Sequence, residues 1–359
     1  MRRKATARAF VVTALFLLGA EAAKSAERGL EIYFIDVDGG AATLLVTPEG
    51  KTVLIDSGWP GKDDRDPKRI VHVLKDVAKC EKLDHLVTTH WHTDHFGGVE
   101  GLSRLIEIGH FWDRGLPEDK SAGLDFPDGP KLDDAIGIAY RKASAGKRTA
   151  LKVGDKLPVA GLESLVLTSG GKVIDFAARY PGRAVRDLPA NPLCEAAPPD
   201  LTVDGSDNAR SLSILFSFGK FQFLDCGDLT WNVEKNLVCP ADLIGPIDLF
   251  QVTHHGQDNS NHPTLIKTIA PTVAIMDNGP RKGGAAATVK RLKETSSVRA
   301  LYQLHKNAAT PDSDNTAADL IANRDPSGGQ FVKVSVAPGG KRYTVQIGED
   351  GEPRTFDAK

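Results

Sequence analysis

The chain is 359 residues long, 41% hydrophobic and 26% charged, with a formal charge of −2 and four cysteines. That is ordinary globular sequence, enough for one large domain or two modest ones. The acidic balance lacks the basic excess that neutralising nucleic-acid phosphates calls for, and cysteines without Cys-x-x-Cys spacing exclude a zinc-finger set.

Arg2, Arg3 and Lys4 precede an apolar stretch from Ala9 to Ala20, with small residues at Ala20-Glu21-Ala22. This layout predicts a signal peptide over residues 1–22 and export to the periplasm or beyond, with an uncleaved anchor as the alternative. The stretch is short for a bilayer span, and no integral membrane segment is expected after it. Cleavage removes four basic residues and one acidic, leaving 41 Lys and Arg against 46 Asp and Glu, a net −5. Residues 28–350 are expected to form one domain. Cys80, Cys194, Cys226 and Cys239 allow several disulfide pairings, and Cys226, inside an apolar run, reads equally well as a buried free thiol.

Leu30 to Val37 reads as a strand, and Thr43 to Val46 with Lys51 to Asp56 as a hairpin about Pro48-Glu49-Gly50. Apolar residues at Ile70, Val71, Val73, Leu74 and Val77 predict a helix from Pro67 to Val77, and His85 to Thr89 the next strand. A helix over Val99–Ile106 follows. Stretches near 113–130 and 170–207, rich in Pro, Gly, Asp or Ala, read as insertions around a helix at 133–143 and strands at 151–157 and 162–167. The second half repeats the alternation: strands at 211–218 and 221–226 joined by Gly219-Lys220, a helix at 230–238, a strand at 248–253, a helix after Pro263 and a strand at 272–276. Past Asp312 only strand-like patches at 331–336 and 343–347 stand out.

The chemistry concentrates where strands end. His90-Trp91-His92-Thr93-Asp94-His95 places three imidazoles and a carboxylate directly after Leu86-Val87-Thr88-Thr89. Imidazole nitrogen and carboxylate oxygen suit zinc, iron or manganese, and the spacing can serve two ions. Asp228 follows the strand ending Leu224-Asp225-Cys226-Gly227, where its plain reading is a cap for the next helix. His254 and His255 follow Leu249-Phe250-Gln251-Val252-Thr253. Adjacent residues of an extended chain point opposite ways, so one of the pair is expected to bind metal. His254 is taken as that ligand and His255 as proton donor or substrate holder, the reverse remaining open.

His-x-His-x-Asp-His after a β-strand resembles the signature of the metallo-β-lactamase superfamily. The resemblance implies an α/β, four-layer αββα sandwich, two packed mixed β-sheets flanked by helices, and a hydrolase carrying two divalent ions, Zn or Mn. It implies the ligands His90, His92, Asp94, His95, Asp228 and His254, with Asp228 bridging, and Asp94 and His255 as the catalytic pair. One expected histidine is missing. The superfamily carries another before the strand that here begins at Ser211, where this chain has Asn208. The first ion would keep His90, His92 and Asp228, and the second Asp94, His95, Asp228 and His254, an uneven set that favours manganese or partial occupancy of the first position.

The chain also resembles the soluble domain of ComEC-type competence proteins. The resemblance rests on Phe34 to Gly40, Lys51 to Gly58, Asn208 to Leu212, Gly227-Asp228 and Val252 to Gly256, with Asp38 and Ala41 departing from the pattern. It implies a phosphoesterase or nuclease. The acidic mature charge favours a small phosphoester over nucleic acid, and the oligomeric state is not legible. A β-lactamase or lactonase, and a non-catalytic metal- or ligand-binding module, are the alternatives. Asp56 is expected to support the ligand loop by hydrogen bonds, as Asp36 could, while Asn208 and His305 are candidates to face the cleft. His72, His85, His110 and His262 read as structural.

Overall fold

The computed structural model describes residues 28–61, 63–116, 128, 134–182 and 189–359. The signal-peptide expectation and parts of both insertions fall outside the described residues. Among the described residues seventeen strands form two sheets. In chain order they are β1 (Leu30–Phe34), β2 (Thr43–Val46), β3 (Thr52–Ile55), β4 (Leu83–Thr88), β5 (Ile108–Asp113), β6 (Arg148–Ala150), β7 (Glu163–Ser169), β8 (Lys172–Val173), β9 (Ser213–Phe218), β10 (Phe221–Asp225), β11 (Leu249–Gln251), β12 (Val273–Met276), β13 (Ala300–His305), β14 (Ile321–Asn323), β15 (Val332–Val336), β16 (Arg342–Ile347) and β17 (Arg354–Asp357). The first sheet runs β17-β16-β15-β1-β2-β3-β4-β5-β6 and the second β14-β13-β12-β11-β10-β9-β7-β8.

Alternation along the strands makes three apolar layers. Ile32, Phe34, Val53 and Val87 of the first sheet meet Ile214, Phe223, Val273 and Ile275 of the second in the central layer. Their sequence neighbours point outward. Tyr33, Leu54 and Leu86 pack against Ile70, Leu74, Leu102 and Tyr140 of the helices over one face. Leu224, Phe250 and Ala274 pack against Leu237, Leu265, Ile266 and Leu292 over the other. Side chains that alternate between faces of a pleated strand can fill two layers at once, which explains near-continuous apolar runs with no polar face. The architecture is the αββα sandwich.

Both sheets are mixed. β3 to β6 are mutually parallel, as are β10 to β14, while the outer strands are antiparallel. Parallel strands deliver their following loops to one end of the sheet, so the segments after β3, β4, β10, β11 and β12 share an edge.

Two expectations give way. The helix placed at 67–77 is an α-helix over Arg65–His72 that widens into a π-turn over Val73–Val77, with Ala78 N–H reaching Val73. Residues 151–157 are turns rather than a strand, because Gly154 takes a φ of 86° and Asp155 accepts the Lys152 N–H. The C-terminal patches are β15 and β16, and β15 pairs antiparallel with β1, so the end of the chain completes the first sheet. Helix Ala286–Glu294 and the short strands β14 and β17 carried too little periodicity to be read. Cys194 and Cys239 are disulfide-bonded, while Cys80 and the buried Cys226 are free thiols. Among the described residues no helix is long and apolar enough to cross a membrane.

Candidate metal centre

The loop after β4 turns into a short helix, Thr93–Phe96, that puts Asp94 and His95 inward. Asp56, directly after β3, fixes the loop's start. It accepts the Thr89 N–H at 2.8 Å, the Thr89 hydroxyl at 2.7 Å and His95 Nδ1–H at 2.7 Å. On the other side Asp207 accepts the Trp91 N–H at 2.5 Å and pairs with the buried Arg114. Asp228 arrives through Gly227, whose φ is 52° and where a Cβ would stand 2.9 Å from the Thr89 side chain, so only glycine allows this approach.

Two groups of donors result, sharing Asp228. Asp94, His95, Asp228 and His255 bring ligand atoms within 4.8 Å of one another, and His90, His92 and Asp228 form the second such group. All but His92 are buried. His255 Nε2 lies 3.2 Å from Asp94 Oδ2 and 3.3 Å from Asp228 Oδ2, and its Nδ1 faces Asp277 at 3.4 Å. His92 Nε2–H donates to Asp128 at 3.1 Å.

The two adjacent histidines depart from the expectation. His255, expected beside the cluster, is inside it, and His254, expected in the cluster with Asp94 and His95, stands at its border, 3.6 Å from Asp228 Oδ2. The cause is backbone sign. His254 (φ 56°, ψ 46°) and His255 (φ 53°, ψ 19°) are both left-handed, so the rule that neighbours on extended chain point apart does not apply. His305 also departs: it is buried and bonded to Asp36 at 2.7 Å, and Asp36 pairs with Arg69 at 2.8 Å. That group links β1 to β13 away from both donor groups. Asn208 lines the site, its Nδ2 donating to His254 Nε2 at 3.3 Å. His85 accepts the Trp112 indole N–H, and His262 caps helix Pro263–Ile269.

Sequence reasoning missed Lys282. Its ammonium contacts the Asp94 carboxylate and lies 5.0 Å from the centre of the Trp59 ring. Only a turn signal, Asn278-Gly279-Pro280, marks its loop. Asp207 and Asp277 were missed as well, each being one acidic residue among many.

Burial alone would raise the Asp228 carboxyl, but His255, His95 and His254 hold it well below the usual range. Asp94 is lowered in the same way by His95, His255 and Lys282. Desolvation works to keep His95 neutral, and the carboxylates of Asp228, Asp94 and Asp56 outweigh it. Desolvation dominates at His90 and depresses it strongly. Buried carboxylates interleaved with imidazoles make a donor set for divalent transition metals, and the orphaned, fully buried His90 Nε2 is aimed into it.

The family model for the metallo-beta-lactamase superfamily matches residues 35–155. Over that segment the chain is similar to the metallo-β-lactamase superfamily. Recombination protein 2 of Haemophilus influenzae is 25% identical over 247 residues, which are 68% of this chain and 24% of that protein. A metal-dependent hydrolase of Cupriavidus necator is 34% identical over 67 residues, 19% of this chain and 22% of that one. This chain therefore spans about a quarter of the length of those relatives. The metallo-beta-lactamase fold protein YhfI of Bacillus subtilis superposes with a TM-score of 0.42 at 10% identity, covering 77% of this chain and 96% of YhfI. The matched segment, the two-sheet fold and the two donor groups agree with one another on a metallo-β-lactamase fold.

Two outcomes are expected. Asp56→Asn removes the carboxylate that orients His95 and Thr89, and metal affinity measured by calorimetric titration falls about 10–100-fold. Glu234, fully buried, accepts the His262 N–H at 2.8 Å beneath the histidine segment, and burial pushes its carboxyl up to about 7. A folded-state pKa above the unfolded one contributes stability that is complete below about 4.5 and is lost as pH rises through about 7. Denaturant unfolding should therefore show a decline of about 1–3 kcal/mol across that window, and Glu234→Gln should flatten it.

Proposed function

We propose that this protein is an exported hydrolase of phosphoesters that works with two divalent ions. The observation that carries the reading is the pair of donor groups sharing Asp228 at the end of both sheets. When bound, two such ions lower the pKa of water toward about 7 and polarise the scissile group together. Asp56 and Asp128 hold the rings of His95 and His92, and Asp277 faces Nδ1 of His255. Asp94, paired with Lys282, lines an open hollow of about 670 Å³ together with Trp59, His92, Asp128, Asp134 and Ile136.

Lys282 favours an anionic substrate. Once Asp94 turns to a metal, the ammonium over Trp59 is free to pair with a phosphate oxygen, and the exposed part of the Trp59 ring offers a flat apolar surface beside it. Asp128 and Asp134 oppose a long polyanion in the same hollow, which together with the net −5 of the cleaved chain supports a small phosphoester over nucleic acid. Zinc or manganese fits the mixed nitrogen and oxygen donors. Export is supported by the basic-then-apolar residues 1–22 and by the Cys194–Cys239 bridge, a bond typical of oxidising compartments.

A metal-reconstituted substrate screen tests the reading. Bis-p-nitrophenyl phosphate should be turned over well above nitrocefin, Asp228→Ala should lose more than about 100-fold of the rate, and Lys282→Ala should raise KM about 10–100-fold with metal content unchanged. Faster nitrocefin turnover would move the assignment to a lactam or lactone. Retention of under about half an equivalent of metal, with no hydrolysis restored by any divalent ion, would leave a binding module.

A further inference from the structure

We infer that His254 is a ligand of the ion held by His90, His92 and Asp228, supplying the imidazole that this chain lacks at Asn208. The inference rests on the two-ion reading above and assigns the adjacent histidines to different ions, His254 to the first and His255 to the second.

Ring orientation carries the argument. Ser260 Oγ donates its single hydrogen to the Leu229 carbonyl at 2.8 Å, so toward His254 Nδ1, 3.1 Å away, it can only accept. His254 therefore bears its proton on Nδ1, and Nε2 is the lone-pair atom. That atom faces Asp228 Oδ2 at 3.6 Å, with Asn208 Nδ2 donating to it. His90 is set by the same logic. The Thr89 hydroxyl donates to Asp56 at 2.7 Å and accepts His90 Nδ1–H at 3.1 Å, leaving the buried Nε2 without a partner, 3.8 Å from the same Asp228 oxygen.

Metal–ligand bonds of about 2.0–2.1 Å in a tetrahedral site set donor atoms about 3.3 Å apart. Both imidazoles thus lie within a few tenths of an ångström of ligand spacing around Asp228. Asn208, which stands where the usual histidine would, is buried beside His254 with its Oδ1 unpartnered. The backbone explains how one segment serves two ions. Consecutive left-handed residues at 254 and 255 are held by His254 N–H to the Gly227 carbonyl, Gly284 N–H to the His255 carbonyl and the Asn261 amide to Thr253.

Each ion then has three ligands of its own plus Asp228. The first set is three imidazoles and a carboxylate, and the second is two of each, so the first position suits zinc and is no longer the poorer one.

Zinc titration and elemental analysis of the purified protein test this, with Co(II) absorption reporting ligand geometry. The native protein should bind two equivalents. His254→Asn, which tolerates the left-handed backbone, should keep one ion and bind the other at least about 100-fold more weakly, and Ser260→Ala should weaken the same ion about 10–100-fold. Asn208→His in the His254→Asn background should restore the second equivalent. Two ions bound by His254→Asn with native affinity and an unchanged Co(II) spectrum would overturn the assignment and leave the two-ion reading intact. Failure of the native protein to bind two equivalents would overturn both. Should His254→Asn fail to fold, an unchanged zinc affinity in Ser260→Ala would count as refutation.

Discussion

One carboxylate oxygen organises this molecule. Asp228 Oδ2 is approached by the imidazoles of His95 at 3.2 Å, His255 at 3.3 Å, His254 at 3.6 Å and His90 at 3.8 Å. A buried carboxylate is tolerable only when paired or bound to a cation, so these rings are the condition for placing Asp228 there at all. They come from two loops more than a hundred residues apart, each leaving a parallel strand. The four-layer sandwich is what brings the two loops to one edge.

Local strain accompanies the arrangement. Two successive non-glycine residues in the left-handed region cost about 1–3 kcal/mol each and persist only where surroundings over-determine them. Here they are over-determined: Gly256 has a φ of 80° against Met276, and the segment is tied to Gly227, Gly284, Asn261 and Ser260. The far nitrogens of His95, His90, His92 and His254 are likewise occupied, by Asp56, the Thr89 hydroxyl, Asp128 and Ser260, and that of His255 faces Asp277. Orientation is thereby built in before any ion arrives.

Much of this was legible in sequence because strand-end chemistry is local. The run His90 to His95, Asp228 after Gly227 and the pair His254-His255 each follow an apolar stretch, and alternation named the strands that carry them. What sequence withheld was backbone sign and long-range pairing. Nothing in Thr253-His254-His255-Gly256 announces two left-handed residues, so the order of the pair does not tell which ring joins Asp94, His95 and Asp228. Lys282 sits 188 positions from Asp94, and Asp207 meets Trp91 and Arg114 across 116 and 93. Such partners have no periodicity to betray them. His305 ended a strand as the ligands do, yet Asp36 and Arg69 draw it into a tie between the sheets.

The pairing of β1 with β15 has a consequence for how the protein faces its surroundings. β1 begins at Leu30 opposite Val336 and runs toward Gly40, which packs on the Asp94 carbonyl beside the donor groups. Leu30 and Val336 therefore lie at the rim opposite the cleft. A surface or partner engaged at that rim would leave the donor groups open to solutes.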